Sequence, residues 1–390
     1  MEERMRGFRL IALLLCLAAL PLLAACGEDK AENKPAPQAA PAQAEPAAEP
    51  QAAPAQGAQG EDAKIGFIYV SPTGDAGWSY SHDVARKVIE EMPGVTTSFV
   101  ESVPEGPDAE RVILNMARKG FKAIFATSYG YMDSMEKVAK EFPEIAFMHC
   151  SGYKTGPNMT AYFGRMYEAR YLSGMVAGAM SKTGKLGYAA AFPIPEVIRG
   201  INAFALGAQA VNPAAEVRVV WTKTWYDPAK EKEAAKSLLD VGCDVIAQHQ
   251  DSPGPQEAAQ ERGVYSIGYH TDMTAFAPKA HLTAPIWNWT PFYKDAVEKI
   301  LAGTWQHQAL WPGLAEGTVD LAPFGEMVPQ DVRDMVLAKK QEIVDGKYKV
   351  FTGPVFDQAG KQMVPDEQVA EDKDLLGMTW FVKGVVGTTE

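Results

Sequence analysis

Apolar positions run without a break over KIGFIYV (residues 64–70), then give way to the turn-prone SPTGDAGWSYSHD (residues 71–83). From His82 to Met92 the spacing becomes helical, and VTTSFVES returns to a strand pattern. The alternation continues. PDAERVILNMARKG reads as a helix opening on Pro107-Asp108 and stopping at Gly120, KAIFATS as a strand, MDSMEKVAKEF as a helix and IAFMHCS as a strand. Continuous apolar strands separated by helices predict a doubly wound parallel sheet covered on both faces.

The pattern then repeats. TAYFGRM leads into the helix YEARYLSGMVAGAMS, whose Gly174, Ala177 and Gly178 form a small-residue side. KLGYAAA, EVRVVWTKTW, CDVIAQHQ and VYSIGYHTD read as strands. Between them lie helical PEVIRGINAFALGAQAVN, PAKEKEAAKSLLDVG and GPQEAAQERG. AHLTAPIWNW, a helix from Thr290 to Leu301 and a tail with short strands and one amphipathic helix, VPQDVRDMVLAKKQEIVDG, complete the chain. Two α/β lobes of ordinary domain size follow.

The first 62 residues fit neither lobe. Arg4, Arg6 and Arg9 precede an apolar run from Leu10 to Leu23, too short for a comfortable membrane span and ending in small residues. It reads as a secretory signal, residues 1–25. Leu23-Ala-Ala-Cys26-Gly27 resembles the lipobox of bacterial lipoproteins, which implies cleavage before Cys26 and acylation of its thiol. Residues 26–63 are then the lipidated cysteine and an Ala/Pro/Gln/Glu-rich tether, with too few large hydrophobes to bury a core. The body is expected outside the cytoplasm, facing the periplasm or cell exterior.

Charge and cysteine usage narrow the field. The 390 residues carry a net charge of −12 with no basic stripe, so nucleic acid is not an expected partner. Cys16 leaves with the signal, and Cys150 and Cys243 read as buried thiols, a disulfide being the other reading. No metal or cofactor is expected.

In open α/β sheets ligands sit outside the carboxyl ends of the strands. In lobe I those ends hold Asp75, Trp78, Tyr80 and His82, then Ser128, Tyr129 and Tyr131, then Ser151 and Tyr153. In lobe II they hold Phe192, then Trp225, Tyr226 and Asp227, then Gln250 and Asp251, then His270 and Asp272. Each has an ordinary structural reading, as a sheet-sealing ring, a helix cap or a core histidine. Asp227 before Pro228 suits a cap well. Rings and isolated acids recurring at equivalent ends of both lobes suit a flat ligand with polar edges.

These stretches resemble the basic membrane protein (BMP) family, purine-binding lipoproteins of ABC importers with a type I periplasmic-binding fold. The resemblance runs from about Lys64 to Gly346. It is carried by GWSYSHD, FATSYGYMDSMEKVAKEFPEIAF, YLSGMVAGAMSKTGKLGYAAAFPIPEVIRGINAFALGAQAVNP, YDPAKEKEAAKSLLDVGCDVIAQH and ERGVYSIGYHTDM. It implies lobe I over 64–163 plus 283–312 and lobe II over 164–282 plus 313–390. A three-strand hinge would lie near Tyr162 to Arg165, His281 to Ile286 and Leu310 to Gly313.

It also implies roles. Ser79-Tyr80-Ser81 stands on the family's Ser-Phe-Asn, making Tyr80 the stacking ring and Trp78 its neighbour. Asp75 lies near the acidic turn that reads the base, and Trp225 or Tyr226 supplies the second aromatic wall. The ligand set expected is Asp75, Trp78, Tyr80, Tyr131, Trp225, Asp251, His270, Asp272 and Trp287. Two departures change the expected ligand. His270 stands where nucleoside binders carry an Asp for the ribose, and Ala284-Pro-Ile-Trp287-Asn-Trp289 replaces a lysine-bearing segment. A free purine base is therefore expected before a nucleoside, captured by a monomer and passed to a permease.

Other classes fare worse. There is no Gly-x-Ser-x-Gly elbow, His-Glu-x-x-His, P-loop or Cys-x-x-Cys, so catalysis is not expected. A signal and lipobox replace the helix-turn-helix of repressors with this fold. A ligand-sensing receptor component remains an alternative.

Overall fold

The computed structural model describes residues 62–390. The expected signal, Cys26 and nearly all of the tether lie outside the described residues. Lobe I opens with β1 (Ala63–Tyr69), α1 (Trp78–Glu90), β2 (Val95–Val100), α2 (Pro107–Arg118) and β3 (Ala123–Thr127). It continues through α3 (Met132–Glu141), β4 (Ala146–Cys150) and β5 (Met159–Tyr162). Lobe II comprises α4 (Met166–Met180), β6 (Lys185–Ala190), α5 (Pro195–Val211), β7 (Glu216–Trp221) and α6 (Pro228–Asp240). After them come β8 (Val245–His249), α7 (Gly254–Arg262), β9 (Tyr265–Ile267) and β10 (His281–Thr283).

The chain returns through β11 (Pro285–Trp287) to α8 (Thr290–Leu301) and β12 (Ala309–Leu310), both on lobe I. It crosses again to β13 (Val319–Leu321), α9 (Gln330–Val344), β14 (Val355–Phe356), β15 (Gln362–Val364), α10 (Asp372–Leu376) and β16 (Val385–Val386).

Each lobe is built on a six-stranded sheet, in the orders β12-β5-β4-β3-β1-β2 and β10-β9-β8-β6-β7-β16. Every pairing within these two sheets is parallel. β3, β4 and β8 are buried along their whole length, because helices cover both faces. The chain passes between the sheets after β5, after β10 and after β12, with the antiparallel pair β11–β13 beside the last two crossings.

The small-residue side of α4 has a packing reason. A Cβ on Gly174 would overlap the Phe204 carbonyl of α5, and one on Gly178 the Ala208 carbonyl. The two backbones touch where only hydrogen fits. Cys150 and Cys243 are both buried and free. Among the described residues no helix is long and apolar enough to cross a membrane.

Two departures from the predicted bounds shape the site. α1 begins at Trp78, four residues before the predicted start at His82. The Asp75 carboxylate causes this: it accepts N–H groups from Gly77 at 2.7 Å, Ser79 at 2.9 Å and Tyr80 at 3.0 Å, satisfying the orphan donors of a first turn. β9 ends at Ile267 rather than running to Asp272, and His270 adopts a left-handed backbone, φ 71°. A strand cannot continue through that conformation.

Candidate functional site

A narrow cavity lies between the lobes at the carboxyl edges of both sheets. Its walls are aromatic. Trp78, in the first turn of α1, is 8% exposed and held by its Nε1, which donates to the Thr127 carbonyl at 2.6 Å. Facing it from lobe II, Trp225 lies edge-on to Phe192 and donates from Nε1 to Glu105 of lobe I at 3.2 Å. Phe163, Tyr129 and Tyr269 complete the ring lining. Tyr269 rests on the buried Arg170 guanidinium, 3.4 Å from its ring centroid.

Polar groups converge among these rings. β8 ends in Gln248-His249 and runs on into Gln250-Asp251, and His249 and Asp251 both line the cavity. Glu196 enters from the first turn of α5 and accepts a hydrogen bond from Ser151 Oγ of lobe I. His270 does not offer a free nitrogen. Trp287 Nε1 donates to its Nδ1 at 3.0 Å, which places the proton on Nε2; that N–H donates to Asp251 Oδ1 at 3.1 Å. The chain Trp287–His270–Asp251 thus aims the carboxyl group.

Burial sets the charge states. It holds the His249 and His270 imidazoles well below their usual range, with further lowering of both by Arg170. It pushes the Asp251 carboxyl well up, reinforced by the nearby charges of Asp75, Glu231 and Glu196. Glu196 rises to about 7, again through burial. Neutral histidines therefore stand beside two carboxyls that burial favours in the protonated form.

The lobes are closed on one another. Thr271 Oγ1 donates to the Ala76 carbonyl at 2.5 Å, and Gly77 lies so close to Asp251 that a Cβ would overlap its carbonyl oxygen. The Glu105–Trp225 and Ser151–Glu196 bonds also cross the cleft.

The cavity gathers Trp78, Trp225, Asp251 and His270 from the expected set. Trp287 stands one bond behind it, on His270. The others are elsewhere. Tyr80 is 42% exposed on the outer side, because two helical residues advance about 200°. Tyr131 is buried in lobe I, its hydroxyl donating to the Val103 carbonyl at 2.5 Å, and Tyr129 faces the cavity instead. Asp75 spends its oxygens on α1 and on Ser71 Oγ. Asp272 sits at the surface, bonded to Thr274. His82 is buried behind the wall, against Tyr293 at 2.6 Å.

Glu196, His249, Phe163 and Tyr269 were not singled out from sequence. An acid in a helix's first turn reads as a dipole complement, which hides Glu196. The polar Gln-His-Gln end of an otherwise apolar strand was the available signal for His249. Among the described residues no cluster suited to a metal ion occurs.

Two parallel lobes shut over a ring-walled cavity are the construction of a solute-binding protein with the type I periplasmic-binding fold. The chain belongs to the Bmp family: residues 63–352 match the model for PnrA-like ABC transporter substrate-binding proteins. It is 48% identical over 327 residues to a purine-binding protein of Brucella abortus, covering 83% of this chain and 93% of that one. It is 40% identical over 331 residues to a putative ABC transporter glucose-binding protein of Haloferax volcanii, covering 85% and 82%. A solved ABC transporter solute-binding protein of Aeropyrum pernix superposes with a TM-score of 0.66 at 20% identity, over 74% of this chain and 92% of that one. Family membership makes this a binding component and not an enzyme, one that works outside the cytoplasm with a small-molecule ligand and a permease.

Proposed function

We propose that the protein captures a purine, a free base in preference to a nucleoside, between its lobes and delivers it to an ABC permease. The observation that carries this reading is the pairing of Trp78 and Trp225 from opposite lobes around one small polar-edged space. Ring walls suit a flat heterocycle. Trp287 stacks on Trp289 with centroids 4.5 Å apart, and both pack against Trp78. This aromatic block on one side of the cavity supports a base over a nucleoside. The name of the Brucella relative supports the purine class.

Delivery also requires an envelope location. A signal over 1–25, an acylated Cys26 and a tether to residue 63 would hold a monomeric body at the membrane. The hinge would act where the chain crosses between sheets, with lobe I over 64–163 plus 283–312 and lobe II over 164–282 plus 313–390. Calorimetry with adenine, hypoxanthine, guanine, their nucleosides and glucose tests the ligand. Micromolar or tighter binding of a base, about −8 kcal/mol or better, is expected. Tighter binding of a nucleoside or of glucose would overturn the reading.

A further inference from the structure

Within the cavity wall, two buried polar side chains have unused capacity. Asp251 is 3% exposed and its Oδ2 has no hydrogen-bond partner. His249 is 5% exposed; its Nδ1 has no partner, and its Nε2 stands 3.9 Å from Glu196 Oε1, beyond hydrogen-bond range. Buried polar groups are nearly always satisfied, so an unsatisfied pair lining a ligand cavity points to the ligand as partner. Among the described residues neither Asp251 nor Glu196 forms an ion pair with lysine or arginine. The polar edge is therefore rich in acceptors and short of donors. The donor nearest Asp251 in sequence is the neutral imidazole of His249, two residues earlier and lining the same cavity.

An oxo group placed against this edge would meet lone pairs. An exocyclic amino group would meet acceptors, while the adjacent ring nitrogen would accept from His249. We propose that Asp251 and Glu196 make the cavity selective for a base with an exocyclic amino group, adenine over hypoxanthine, with the amino N–H donating to Asp251 Oδ2. This rests on the purine reading above and deepens it.

The electrostatics add a signature that packing alone would not give. Asp251 is faced by His270, by Asp75 from the β1–α1 loop, by Glu231 of α6 and by Glu196 of α5. Glu196 is faced by Ser151, His249, Arg199 one turn along α5, and Glu105. Burial, reinforced by the like charges, raises both carboxyls, Glu196 to about 7. His270 Nε2–H donates to Asp251 Oδ1, so a proton on the carboxyl sits on Oδ2; an amino N–H donating to Oδ2 displaces that proton, and an aminopurine binds more tightly as pH rises. An oxo base would draw its hydrogen bond from the protonated acid and weaken over the same range.

The test is calorimetry of the intact protein with adenine and with hypoxanthine at pH 6, 7 and 8, in buffers of different ionisation enthalpy. Adenine is expected to bind at least about tenfold more tightly than hypoxanthine, to release a proton and to gain affinity with pH. Asp251→Asn, which can present an amide N–H to an oxo group, should cut the adenine preference by at least about tenfold and abolish proton release. Should that variant fail to fold, Glu196→Gln should lower the preference and the proton release in the same direction. A hypoxanthine preference, proton uptake with adenine, or equal weakening of both bases in these variants would overturn the assignment alone. Failure of every purine to bind would remove the parent reading and this one with it.

Discussion

At the scale of single residues, the division of labour in the first turn of α1 is the sharpest feature. Trp78 and Tyr80 are two positions apart, and the helix sends one to the cavity and the other to solvent. Trp78→Ala should therefore abolish most ligand affinity, by about 100-fold or more, as for a central aromatic anchor. It should also lower stability by about 3–5 kcal/mol, as for a buried tryptophan. Tyr80→Ala should change affinity by no more than about twofold, as for a surface substitution. Titration of both variants beside thermal melts separates the two residues. A loss on Tyr80→Ala matching that on Trp78→Ala would contradict the placement. The rings were visible in sequence as a cluster after β1. Which ring faces inward was not, because that depends on where the helix starts, and Asp75 fixes the start from outside it.

Elements act through their ends. The loop from Asp75 to Gly77 caps α1 on one side and meets the Asp251 backbone of the other lobe on the other. A Cβ on Gly77 would overlap the Asp251 carbonyl oxygen, so a side chain there runs into the neighbouring lobe. Gly77→Ala is expected to leave the fold intact and to hold the lobes apart. Ligand affinity should drop by about 100-fold or more, because a closed state blocked by overlap cannot bury the ligand. Small-angle scattering with saturating ligand should show wild type closed and the variant extended; a variant that closes like wild type would refute the clash. The α4–α5 contact makes the contrasting case. Gly207→Ala places a methyl on the Tyr171 carbonyl inside lobe II and should lower stability by about 1–3 kcal/mol in denaturant melts, as overpacking does.

For the molecule as a whole, closure gathers acids. Glu196 and Glu231 are each raised to about 7, chiefly by burial. A carboxyl raised on folding binds its proton more tightly in the folded state, so its contribution to stability is present at low pH and lost as pH rises through the folded value. The buried histidines, all lowered, act the other way: the unfolded chain still protonates them around pH 6.5 while the folded protein does not, so their contribution rises with pH until the unfolded value is well passed. The carboxyl contribution is therefore read as a difference between variants. The melting temperature of Glu231→Gln should gain on that of the wild type as pH rises from about 5 to 8, and a difference that stayed constant over this window would exclude the mechanism. Saturating ligand at about 100 times its Kd should add about 2.7 kcal/mol. In the cell, Cys26→Ser should move the protein from the membrane fraction to the soluble one, since lipid chains contribute about 0.8 kcal/mol per buried methylene. Fractionation of both forms would show it.

The order of elements, two parallel lobes and the strand ends that carry the ligand were determined by the chain's own hydrophobic periodicity. Continuous apolar strands between amphipathic helices admit few other arrangements, and the loops after those strands must line the cleft. Trp78, Trp225, Asp251 and His270 were legible on that basis. The tertiary structure alone decided which group each residue faces. His270 became a support for Asp251 because Trp287, arriving from a later crossing, takes its other nitrogen. Glu196 became part of the site because Ser151 of the opposite lobe reaches it. Contacts between segments this far apart in sequence leave no periodic trace, because only burial brings them together.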